Sequence, residues 1–94
     1  MGSRRSRLEL IFDIFLAIQN KGGEIKPTHL MYKSNLSHKL LNAYLEELIN
    51  KEMVEIVDVK KKKTLSKVVT ITDKGIGFLA EFRRIREFTE AFGL

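Results

Sequence analysis

The strongest constraint on this chain is a change of apolar period near residue 53. Before it, apolar side chains recur at spacings of three and four, the period of helices. Residues 53–59 and 68–71 are instead rich in β-branched side chains, which suit the pleated, half-buried surface of a strand. Between the two runs stand Lys60, Lys61, Lys62, Lys63, Thr64, Leu65, Ser66 and Lys67. The pattern predicts a hairpin with a long basic tip, set between helices, and hence an α+β fold.

Residues 6–20 read as the first helix, with Leu8, Ile11, Phe12, Phe15, Leu16 and Ile18 on its apolar positions. Ser6 is its candidate N-cap, and Glu9 three residues later completes a capping box. Gly22 and Gly23 stop it, since glycine takes the left-handed conformation that helix ends favour. Residues 24–26 are extended, because Pro27 biases its predecessor away from the helical region. Pro27 opens a short second helix over 27–33, where its missing N–H costs nothing. The third helix starts near Ser37 and runs to about residue 51. Leu40, Leu41, Tyr44, Leu45, Leu48 and Ile49 share one broad face, opposite His38, Lys39, Asn42, Ala43, Glu46 and Asn50. Thr72 or Asp73 caps a last helix through about Phe92. On it Phe78, Phe82, Ile85, Thr89 and Phe92 alternate spacings of four and three, the signature of a coiled-coil seam.

A chain of 94 residues supports one small core, so residues 1–94 form a single domain. Its helix-turn-helix and hairpin lie over 6–72 and its closing helix over 73–92. Cysteine is absent, which excludes disulfides and thiolate metal sites; two histidines make a poor metal site, so no cofactor is expected. No apolar run reaches the roughly 18 residues of a membrane span. The apolar segment after Arg7 carries Glu9 and Asp13, which argues against a signal peptide. The net charge of +5 is unevenly placed. Eight of the 17 cations are Arg4, Arg5, Arg7, Lys60, Lys61, Lys62, Lys63 and Lys67; the other nine face twelve anions and leave the body at −3. A slightly acidic body with two basic appendages points to a polyanion, nucleic acid first and an anionic membrane second.

The order helix, short strand, helix, helix, strand, basic loop, strand, helix is that of a winged helix-turn-helix. Three segments carry a family resemblance. Residues 40–49 followed by Met53-Val54 resemble the end of a winged-helix recognition helix. Thr70-Ile71-Thr72-Asp73-Lys74-Gly75-Ile76-Gly77-Phe78-Leu79 is similar to the strand-to-helix signature "LTxxGxxxL" of that superfamily. Residues 30–37 resemble the second helix and turn of small archaeal winged helix-turn-helix DNA-binding proteins. Glu52 departs from the pattern, where the family often has glycine. The resemblance implies a double-stranded DNA-binding protein, cytoplasmic and nucleoid-associated, acting as a transcriptional regulator or chromatin-type protein. It also implies a homodimer joined through the last helix as an antiparallel coiled coil.

Candidate DNA contacts follow. The exposed start of the third helix offers Ser37, His38, Lys39 and Asn42 to the major groove, where base edges are distinguishable. The hairpin lysines 60–63 and Lys67 suit phosphates, which they hold as point charges without sequence information. Arg4, Arg5 and Arg7 suit a flexible arm; Thr28 and Lys33 flank the second helix, where Thr28 and the helix N-terminus suit a phosphate. Leu65 is either a groove wedge or folds back on the hairpin. Phe78, Phe82, Ile85, Thr89 and Phe92 are the candidate dimer interface, because an uncovered apolar stripe signals association. No spacing defines a catalytic site or a ligand pocket, so the chain reads as a non-enzyme. The rival reading is a protein-interaction module, in which the lysines only solubilise the hairpin.

Overall fold

The computed structural model describes residues 5–94, so Arg4 lies outside the described residues. The elements are α1 (Arg7–Asn20), β1 (Glu24–Ile25), α2 (Pro27–Ser34), α3 (His38–Asn50), β2 (Val54–Lys61), β3 (Thr64–Ile71) and α4 (Asp73–Ala91). The three strands form one antiparallel sheet in the order β1-β3-β2. Among the described residues no helix is long and apolar enough to cross a membrane.

Local chemistry sets each boundary. The Ser6 hydroxyl accepts the Glu9 N–H at 3.1 Å, and the Glu9 carboxylate accepts the Ser6 N–H at 3.1 Å, closing the capping box. The Ser6 backbone N–H first, and the Ser6 side chain second, hold the Glu9 carboxyl below the ordinary carboxylate range. Gly22 (φ 82°) and Gly23 (φ 95°) turn the chain into β1. Asn35, at φ 56°, ends α2 in the left-handed conformation that asparagine tolerates.

The core gathers around α1, which buries Ile11, Phe12, Ile14, Phe15, Ala17 and Ile18. The helix is covered on more than one side, because α2 and the sheet pack against it as well as α4. This differs from the single stripe that spacing predicts: Ile14 is fully buried and Leu8 is half exposed. The apolar face of α3 is likewise narrower than expected. Leu41, Leu45 and Leu48 are buried, whereas Leu40 and Ile49 lie at its exposed edges.

The hairpin corrects the sequence reading most. Instead of a long tip, β2 and β3 stay paired from Val54↔Ile71 out to Lys61↔Thr64, leaving a two-residue turn at Lys62-Lys63. An antiparallel ladder is made by backbone groups and continues wherever the chain reverses tightly, and two-residue loops are the commonest reversals. Lys62 adopts φ 56° there. Opposite charges also meet across the ladder, at Asp58↔Lys67.

The "LTxxGxxxL" segment is explained residue by residue. Thr72 caps α4 by accepting the Gly75 N–H at 3.2 Å. Gly75 is buried so close to the Met53 carbonyl that a Cβ would lie 2.4 Å from that oxygen. Leu79 is 3% exposed and joins the core. Gly77, two residues on, has open space around it.

Candidate nucleic-acid interface

α3 is fixed at its C-terminal end by the junction that leads into α4. The Thr72 N–H donates to Met53 O at 3.0 Å, the Thr72 hydroxyl donates to Glu52 O at 2.7 Å, and Lys74 Nζ donates to Lys51 O at 2.7 Å. Glu52 itself sits at φ 61°, a left-handed backbone that explains why glycine suits this position. At the other end Ser37 caps α3, its hydroxyl accepting the Leu40 N–H at 3.2 Å.

His38, Lys39 and Asn42 are all exposed on the first turns of α3. His38 and Asn42 stand one turn apart, with Asn42 Nδ2 3.4 Å from His38 Nδ1. Two hydrogen-bonding side chains are thus held side by side on the surface rather than buried. Glu47, further along, is half-buried and paired with Arg7, with Lys51 Nζ at 3.9 Å. Its charge is neutralised within the fold, while Glu46 stays exposed.

Regular pairing sorts the hairpin lysines by face, since side chains alternate along a strand. Lys60 and Lys67 share a face with Val54, Ile56 and Val69, and Lys67 has Asp58 as its cross-strand neighbour. Lys61 lies on the opposite face with Val57 and Val68. Lys62 and Lys63 occupy the turn. All five are exposed. Leu65 does not fold back; it is 72% exposed, directly across from Lys60. Lys61 also lines a groove with Lys21, Lys26 and His29, a cluster that sequence reasoning did not assemble. Strand alternation together with the β1–β3 pairing is the signal that assembles it, and that pairing is not evident from two residues of β1 alone.

Thr28 is exposed in the first turn of α2, which lacks a side-chain cap. Lys33 is exposed at the other end of α2, where it lines a shallow groove with Asp13, Leu16 and Lys21. These two therefore do not meet at one point. Among the described residues no group of His, Asp or Glu side chains is arranged to hold a metal ion.

Two of the three arginines expected in a flexible arm, Arg5 and Arg7, pack against the body instead. Arg5 is not a free strand of positive charge: its guanidinium pairs with Asp13 at 2.7 Å and donates to Ser34 O at 2.7 Å and Asn35 O at 3.0 Å. Arg7 pairs with Glu47 and lies 5.7 Å from the centre of the half-buried Tyr44 ring. Half-buried anions and helix-end carbonyls compete for these guanidinia, and they hold them against the body.

The last helix divides in two. Phe78 packs edge-on against Phe15 at 5.6 Å, and Phe82 against Phe12 at 4.9 Å, so both serve the core of their own chain. Thr89 is half-buried and donates to Arg86 O. Beyond Phe82, Ile85, Phe88, Phe92 and Leu94 are 60%, 65%, 68% and 88% exposed.

A helix-turn-helix, a basic two-stranded ribbon and a closing helix define a winged-helix protein. A family model described as winged helix-turn-helix matches residues 4–90, and the chain belongs to that family. It is 33% identical over 72 residues to an uncharacterized protein of Methanocaldococcus jannaschii, covering 77% of this chain but 29% of that relative's length. Its fold is similar to that of Sso10a-2, a DNA-binding protein from Sulfolobus solfataricus, with a TM-score of 0.70 at 24% identity over 95% of this chain and 90% of that one. It is also similar to YodB from B. subtilis, with a TM-score of 0.70 at 21% identity over 94% and 82% of the two chains. A putative transcriptional regulator of Pseudomonas aeruginosa matches with a TM-score of 0.68 at 23% identity, over 86% of this chain and 53% of that one.

Proposed function

We propose that this chain is a double-stranded DNA-binding protein rather than an enzyme, acting as a transcriptional regulator or chromatin-type protein in the cytoplasm. The observation that carries the reading is the pairing of two surfaces joined through the turn at 51–53. One is the exposed, hydrogen-bonding start of α3 (Ser37, His38, Lys39, Asn42); the other is a paired two-stranded ribbon bearing Lys60, Lys61, Lys62, Lys63 and Lys67. The first suits base edges in the major groove and the second suits phosphates. That a DNA-binding protein of Sulfolobus solfataricus shares the fold over most of the chain supports it. Arg5 and Arg7 are engaged within the fold, so the ribbon and Lys39 carry the phosphate contacts, with Thr28 and Lys33 at the flanks.

Division of labour is testable. Replacing lysines 60–63 by glutamine lowers affinity for all sequences alike and flattens the salt slope by about 3.6, at roughly 0.9 for each phosphate no longer neutralised. Asn42→Ala leaves the slope unchanged and alters preference among sequences in a binding-site selection. A ribbon variant that changed preference, with an Asn42 variant that changed nothing, would reverse the assignment.

The chain works as a homodimer whose seam is the distal half of α4: Ile85, Phe88 and Phe92, with Thr89 at its edge. Phe78 and Phe82 support that helix from α1. Three exposed apolar side chains at helical spacing suit a second copy of the same helix, in the antiparallel sense of a two-fold dimer. Sedimentation at tens of micromolar gives a dimer that Phe88→Glu converts to a folded monomer. A wild-type monomer contradicts this assembly.

A further inference from the structure

We propose that Arg5, oriented by Asp13, is a positioning residue that sets the angle at which α3 leaves the helix-turn-helix turn; this rests on the DNA-binding reading of α3. The guanidinium belongs to a residue just ahead of α1 yet reaches the far end of α2. Its Nη1 donates to both Asp13 Oδ2 and Ser34 O, each at 2.7 Å, and its Nη2 donates to Asn35 O at 3.0 Å. Ser34 O and Asn35 O are carbonyls at a helix C-terminus, where no intrahelical N–H is available and a cation is favoured. The next residues are the turn itself. Asn35 is left-handed at φ 56°, the Leu36 N–H donates to Met31 O at 3.2 Å with Leu36 buried, and Ser37 caps α3. The α2 end is therefore fastened to α1 just before α3 begins.

The opposite end of α3 has its own fastening, through Thr72, Lys74 and the turn at 51–53. With that end fixed, freedom at the Asn35 turn becomes a tilt of α3 that displaces His38, Lys39 and Asn42 most. Only an arginine has the planar fork that serves a carboxylate and two carbonyls at once; a lysine is a single point donor. Arg5 and Asp13 side chains are 31% and 33% exposed, so the pair is partly shielded and holds its geometry better than a fully solvated one. Their charges cancel. The clamp thus adds no net charge to the DNA-facing field, and geometry is what it contributes.

That cancellation makes the sign of the test informative. Asp13→Asn removes an anion, which by charge alone strengthens DNA binding; by loss of the clamp it weakens it. Arg5→Lys keeps the charge and loses the fork. Wild type, Arg5→Lys and Asp13→Asn are titrated onto a duplex across a salt series, and amide hydrogen exchange is followed without DNA. Both variants weaken binding about three- to tenfold, the loss expected for one or two partly exposed charge-assisted hydrogen bonds, with the salt slope unchanged. Exchange accelerates at Asn35, Leu36 and Leu40, whose N–H groups are hydrogen-bonded at the turn, and not at Val69 or Leu79. Asp13→Asn binding as tightly as wild type or tighter overturns the proposal. So does an Arg5→Lys protein with wild-type affinity, or a reduced salt slope in either variant. If wild type binds no duplex while exchange at the turn still accelerates in both variants, the DNA reading fails and the clamp on the turn stands.

Discussion

Two glycines two residues apart in α4 make opposite predictions. A Cβ on Gly75 would lie 2.4 Å from Met53 O and 2.7 Å from Ile71 Cγ1, against 3.4 Å for ordinary contact. The obstacle is about an ångström of overlap with a backbone oxygen that cannot retreat freely, since it accepts the Thr72 N–H at 3.0 Å. Overpacking of this kind costs about 1–3 kcal/mol, and loosening that hydrogen bond about 1 kcal/mol more. Alanine's helix preference offsets up to about 1 kcal/mol. Gly75→Ala is thus destabilising by about 1–3 kcal/mol. Gly77 has nothing within 4 Å, so Gly77→Ala keeps the propensity gain and stabilises by about 0.5–1 kcal/mol. Urea unfolding at equal m-values reads both. A domain of this size has roughly 5–14 kcal/mol in hand, so either variant folds. Equal stabilities for the two variants would refute the account of the β3–α4 junction, and with it the fastening of the α3 C-terminus.

Three further outcomes are expected. Glu52→Gly relieves a left-handed backbone and stabilises by about 0.5 kcal/mol, seen as a rise of about 2–4 °C in Tm. The Glu9 carboxyl titrates below its ordinary 4.5 in the folded chain, so its contribution is present above that value and fades as pH falls through the depressed folded value. Urea midpoints between pH 5 and 3 therefore fall less steeply in Glu9→Gln than in wild type. Phe82→Ala, which strips a ring from Phe12, lowers monomer stability by about 2 kcal/mol, whereas Phe88→Ala stays within about 0.5 kcal/mol when unfolding is followed at a dilution that dissociates any dimer.

What the sequence made legible was local. The Ser6–Glu9 capping box, the Ser37 and Thr72 caps, the glycine stop and Pro27 all act within four residues, and the elements begin and end where that chemistry places them. Contacts across long sequence separations were not legible. Arg5 meets carbonyls 29 and 30 residues away and Arg7 a carboxylate 40 away, so both looked like a loose basic arm. The length of the ribbon was hidden because lysine is a poor strand former, and register, not propensity, extends the ladder to Lys61. The seam of α4 was visible as a period. Which of its residues face α1 depends on how α4 packs, and periodicity does not report that.

The start of α3 and the lysine ribbon are proposed to form one duplex-binding surface. Fluorescence anisotropy with a random 30-base-pair duplex and an equal-length single strand, at two salt concentrations, tests it most directly. Duplex binding is expected to exceed single-strand binding and to fall steeply with salt, by a slope near −5.4 for about six phosphate contacts per protomer, the five ribbon lysines and Lys39. No duplex binding at low salt would contradict it, and would leave the ribbon a solvated hairpin and the α3 surface a site for a protein partner.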